Sequence, residues 1–85
     1  MRQFKYIIQD ELGLHARPAG LMVKEIKALS CDVKIEGNGK SAEASKIMAI
    51  MAMGIKKDME VTVTIAGEGE EEAAVKLEQF FKENF

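Results

Sequence analysis

The chain has 85 residues, 12 of them Lys or Arg and 14 Asp or Glu, for a net charge of −2. That length supports one domain, residues 1–85, with a small core, and excludes the deep enclosed cleft of a large enzyme. The acidic balance argues against nucleic acid as the main partner.

In chain order, "QFKYII" sets Phe4, Tyr6 and Ile8 against Gln3, Lys5 and Ile7, the alternation of a strand with one better-buried face. "DELG" breaks that pattern. From Ala16 the period becomes helical, with Ala19, Met22, Ile26 and Leu29 on one side and Arg17, Gly20, Lys24 and Lys27 on the other. Pro18, the only proline, suits the first turn, where its missing N–H costs nothing. "CDVKIEG" alternates again, with Val33 and Ile35 on one face. "GNG" at 37–39 signals a hairpin, so a short strand over Lys40–Ala42 is expected to pair back antiparallel. Ser45–Met53 reads as a short helix closed by Gly54, with Ser45 as its cap. "EVTVTIAG" is the clearest strand, with Val61, Val63 and Ile65 on one face. Glu70, Glu71 and Glu72 then fit the first turn of a last helix, where negative charge meets the positive dipole end. That helix is expected to bury Ala74, Leu77 and Phe81, with Phe80 or Phe85 at its margin.

The order β-α-β-β-α-β-α, with short strands each having one polar face, defines a two-layer α+β domain: an antiparallel sheet covered by helices on one side. Periodicity gives the layers and leaves the strand order open. Cys31 is alone, so no intrachain disulfide is expected; one cysteine and one histidine cannot build a zinc site without outside ligands. No metal and no cofactor are expected. The start "MRQFKYIIQDELG" has no apolar leader core, and no segment reaches membrane-spanning length; the expectation is a cytoplasmic protein without direct membrane insertion. Nothing in the sequence demands more than a monomer.

"GLHARPAG", residues 13–20, holds the only histidine. A neutral imidazole offers a nucleophilic lone pair near pH 7 without needing a base. Its attack on a phosphoryl donor yields a phosphoramidate reactive enough to pass the group on. A helix start supplies unpaired N–H groups and a positive partial charge for the phosphate, and Arg17 adds a guanidinium suited to two-pronged pairing. From spacing alone, a solvated capping histidine stands as the alternative.

These residues resemble the active-site motif of HPr, the histidine-containing phosphocarrier family of the bacterial phosphoenolpyruvate-dependent sugar phosphotransferase system. The likeness extends to "NGKSAEASKIMAIMAMGI" and "EVTVTIAGEGEEEAAVKLEQFF". The resemblance implies an open-faced β-sandwich, a four-stranded antiparallel sheet with three helices on one face. It implies a carrier and no enzyme: His15 accepts a phosphoryl group on Nδ1 from phosphorylated enzyme I and donates it to IIA domains of sugar permeases, with Arg17 as charge partner.

Residues 47–55 carry Ile47, Met48, Ile50, Met51, Met53 and Ile55, too wide an apolar spread for one face of a short helix. Spacing turns Ile50 and Met53 inward and Ile47, Met48 and Met51 outward; burial of all of them is the alternative. The resemblance makes the outward set a partner surface, together with Ala16, Gly20, Lys24 and Lys27. The two lysines read either as a solvated face or as a basic rim that speeds encounters with acidic partners. One departure stands out: the Gram-positive branch of the family starts its second helix with a regulatory serine, where this chain has Lys46, with Ser45 one residue earlier. That regulatory phosphorylation is therefore not expected here. A regulatory module that works by binding partners, and a small-ligand-binding domain, are the alternatives to a carrier.

Overall fold

The computed structural model describes residues 1–85. Four strands and three helices follow in the expected order: β1 (Arg2–Ile7), α1 (Ala16–Lys27), β2 (Cys31–Gly37), β3 (Lys40–Glu43), α2 (Ile47–Met51), β4 (Glu60–Gly67) and α3 (Glu70–Asn84). The strands form one antiparallel sheet in the order β1-β4-β2-β3. β4 therefore lies at the centre, and α1 carries the chain across it from β1 to β2.

Register explains the layers. Phe4 pairs with Val63, Tyr6 with Val61, Val33 with Ile65, and Ile35 with both Val63 and Ala42, so their side chains share one face. Lys5, Thr62 and Glu36 form a row on the opposite face, as do Gln3, Thr64 and Lys34, where Gln3 Nε2 donates to Thr64 Oγ1 at 3.1 Å. The helices cover the apolar face, and the other stays open to solvent. The β2–β3 turn is set by Asn38 (φ 53°) and Gly39 (φ 72°), the paired left-handed geometry that suits a two-residue hairpin.

Phe81 is fully buried and anchors α3 to the sheet. Its ring meets Phe4 and Tyr6 edge-on, each at 5.7 Å, and Phe85 at 5.1 Å. Burying one such side chain is worth roughly 1.5–3 kcal/mol before the aromatic geometry is added. The row Ala73, Leu77, Phe81 at i, i+4, i+8 faces the core, correcting the inward assignment of Ala74. Ala74 lies about 100° further round and is half-buried, given 3.6 residues per turn. Phe80 and Phe85 are buried rather than marginal.

The second helix is shorter than its sequence suggests. Ala44, fully buried, still donates its N–H to Val33 O at 2.9 Å, so the chain cannot coil until it has left the sheet. Lys46 is the N-cap, without a side-chain cap bond, and Ser45 sits in the preceding turn. The expected capping role of Ser45 is thus not realised. At the other end Met53 and Gly54 donate to Ile50 and Met51 carbonyls, a tight final turn in place of regular helix. Ile50 and Met53 point inward as expected; Met48 is 79% exposed, while Ile47 and Met51 are half-buried.

Ile47 is partly covered because α2 leans on α1 at Gly20, where an added Cβ would sit 3.6 Å from Ile47 Cδ1. That is ordinary contact. Gly20→Ala is expected to raise stability by about 0.5–1 kcal/mol through helix propensity alone, measured by chemical denaturation.

Candidate functional site

The loop between β1 and α1 is built to deliver His15. Asp10 Oδ1 accepts the Leu12 N–H at 2.8 Å, and the Asp10 carbonyl accepts the Gly13 N–H at 2.9 Å, closing a tight turn. Gly13 follows with φ +68°, and a Cβ there would lie 2.3 Å from the Ile55 carbonyl oxygen. Leu14, buried, donates its N–H to the same oxygen at 3.2 Å. His15 then takes the N-cap position in extended geometry, φ −97° and ψ 168°, and accepts the Ala19 N–H on its carbonyl at 3.1 Å.

No side chain caps α1. The N–H groups of Ala16 and Arg17 have no acceptor in the protein, and Pro18, buried at the third helical position, has no N–H to satisfy. Both free donors follow His15 directly at the positive end of the helix dipole. The His15 ring is 28% exposed, and its Nε2 lies 3.4 Å from Asp10 Oδ2. His15, Asp10, Arg17, Leu21 and Glu83 line one shallow depression of ≈ 280 Å³. Arg17 is exposed and makes no ion pair. A depression this open suits a group presented by another macromolecule better than a small substrate that must be enclosed.

The helix N-terminus and Arg17 thus meet at His15, as the sequence leads one to expect. Ala16 is exposed beside them, and Gly20 is half-buried one turn on. Lys24 and Lys27 are exposed, but lie ~14 and ~18 Å further along the helix axis at 1.5 Å per residue. Lys27 lines a separate groove with Cys31, Asp32 and Ser45. The structure does not gather that lysine into a rim at His15.

Sequence reasoning missed three neighbours. Asp10 reaches the ring only because of the Gly13 turn, although an aspartate two residues before a bonded N–H is a recognisable local signal. Glu83 arrives from the far end of the chain: the N–H groups of Gln9 and Asp10 donate to Phe85 O at 2.5 and 2.7 Å and bring the end of α3 to the loop. Leu21, 51% exposed, carries apolar surface to the edge of the depression.

An open-faced α+β sandwich with one half-exposed imidazole at its first helix start is a distinct class of small protein. A family model described as the PTS HPr component phosphorylation site matches residues 2–83. The phosphocarrier protein HPr of Mycoplasma capricolum subsp. capricolum is 38% identical over 79 residues, covering 93% of this chain and 89% of its own length. The HPr-like protein Crh of Bacillus subtilis is 39% identical over 83 residues, 98% of each chain. A solved structure of a mycoplasma histidine-containing phosphocarrier protein matches with TM-score 0.89 and 37% identity, covering 93% of this chain and 90% of that one. The chain belongs to the HPr phosphocarrier family of the phosphotransferase system.

Two outcomes follow from the loop. Gly13→Ala is expected to cost about 1–3 kcal/mol, because φ must stay positive and the methyl meets a backbone oxygen; thermal unfolding measures it. The Leu12 N–H, and secondarily the His15 ring, hold the Asp10 carboxyl below its ordinary value. The folded protein thus favours the ionised form. That stabilising contribution is complete above the ordinary aspartate range and disappears as pH falls through the lowered native value. A carbon-13 NMR titration should find Asp10 titrating below a free aspartate.

Proposed function

We propose that this protein is a phosphoryl carrier in which His15 accepts a phosphoryl group on Nδ1 from phosphorylated enzyme I and hands it to IIA domains of sugar permeases. It acts as a relay intermediate and no enzyme, in the cytoplasm, as one domain of residues 1–85. The observation that carries this reading is the half-exposed His15 ring directly before the unpartnered N–H groups of Ala16 and Arg17. A phosphate joined to that ring would have unpartnered donors on the next two residues, and the unpaired Arg17 guanidinium adds charge without being drawn from another ion pair. The partner surface is Ala16 and Gly20 on α1 with Ile47, Met48 and Met51 on α2, which meets α1 at Gly20, and Lys24 and Lys27 further along α1 extend it away from the ring. Such a surface re-packs against different partners and releases each quickly.

A second reading, a regulatory module working by binding, is favoured by the likeness to Crh, whose solved structure is described as a catabolite repression protein forming a swapped dimer. We take the carrier to be a monomer. Incubation with enzyme I and phosphoenolpyruvate should add one acid-labile phosphoryl group by mass spectrometry, and His15→Ala should abolish it. Retention of the added group after mild acid, or labelling of the His15→Ala protein, would contradict the carrier site. Full partner regulation by His15→Ala would support the binding module.

A further inference from the structure

We propose that Asp10 is a positioning residue for His15: its carboxylate holds the proton on Nε2 and so leaves the lone pair on Nδ1. The proposal rests on His15 being the phosphoryl acceptor, and it adds which residue selects the reacting nitrogen.

Asp10 is fixed on several sides. Its Oδ1 accepts the Leu12 N–H, its own N–H donates to Phe85 O at 2.7 Å, and its carbonyl accepts the Gly13 N–H. With Oδ1 engaged, Oδ2 is the oxygen turned to the ring, 3.4 Å from Nε2. An ionised carboxylate only accepts, so a neutral imidazole facing it does best with its proton on Nε2. The remaining lone pair is then on Nδ1, the nitrogen bonded to Cγ and nearer the backbone. The two residues that directly follow His15, Ala16 and Arg17, have the unpartnered N–H groups available to a phosphate carried there. Arg17 and Glu83 are the other charged side chains lining the depression, and Asp10 is the carboxylate in ion-pair range of the ring.

The transfer balances without a proton leaving the site. The Nδ1 lone pair forms a bond to phosphorus, the donor's bond to phosphorus breaks, and its electron pair departs with the donor. The ring keeps its Nε2 proton and becomes cationic, with that charge facing Asp10. When the group moves on, the N–P electrons return to Nδ1 and the ring is neutral again.

Asp10→Asn separates this role from loop support. The Leu12 N–H still requires an oxygen, so the side-chain oxygen stays there and the amide NH2 turns to Nε2. A donor in that place favours the opposite tautomer, with the proton on Nδ1 and the nucleophile blocked. Nitrogen-15 NMR of the ring in the intact protein, above the pH range where it is cationic, should show Nε2–H dominant in the unaltered chain and a shift toward Nδ1–H in the variant. Phosphorylation by enzyme I should slow by about tenfold in Asp10→Asn and by less in Asp10→Ala, which removes both the acceptor and the misplaced donor. A residue that merely braces the loop gives the reverse ranking, since alanine loses the Leu12 bond and asparagine keeps it. That reverse ranking, or an unchanged tautomer in Asp10→Asn, overturns the proposal. Absence of phosphate on the unaltered protein instead defeats the carrier reading, and the tautomer comparison still decides what Asp10 does.

Discussion

The seat of Gly13 against the Ile55 carbonyl is the constraint from which the rest of the site follows. No residue with a side chain fits there: the backbone is left-handed, and a Cβ would overlap the oxygen at 2.3 Å. That same oxygen accepts the Leu14 N–H, so a buried point between α2 and β4 fixes the loop leaving β1. His15 is the next residue, and α1 starts directly after it. The core beneath α2 and the start of α1 are thus joined through one carbonyl.

Around the ring, the balance of interactions is moderate by design of exposure. The protein has no buried polar or charged residue, so every charge near His15 is in contact with water. A hydrogen bond to a charged group contributes about 1.5–3 kcal/mol, and screening lowers that at a surface. On the carrier reading this is the needed range: strong enough to orient a phosphate and too weak to trap it. Asp10 opposes the ring from one side while the Ala16 and Arg17 N–H groups and the guanidinium lie toward the helix, so opposite charges are available to the imidazolium and to the phosphate it holds.

Much of this was legible in the sequence because local chemistry decided it. Alternation placed Val61, Val63 and Ile65 in the core, Asn38-Gly39 made the hairpin, and "HARP" marked the start of α1. What escaped depended on contacts between distant segments. The strand order, with β4 between β1 and β2, is not encoded in any periodicity. The late start of α2 comes from the Ala44 bond to β2, which no helical spacing near Ser45 announces. Three successive glutamates carry no apolar period, so Ala73 and Ala74 could be told apart only once Leu77 and Phe81 were seated. Likewise, Asp10 and Glu83 join His15 through a turn and through the docking of the last helix. Ile47 and Met51 are half-buried, Ile47 because α2 rests on α1 at Gly20.

On the carrier reading, the start of α1 keeps backbone donors free for a group carried by His15. Amide proton and nitrogen shifts recorded before and after phosphorylation test it most directly. Ala16 and Arg17 should then show the largest downfield changes in the chain, while strand amides far from the loop stay in place. Unmoved Ala16 and Arg17 signals in a protein fully phosphorylated on His15 would contradict it.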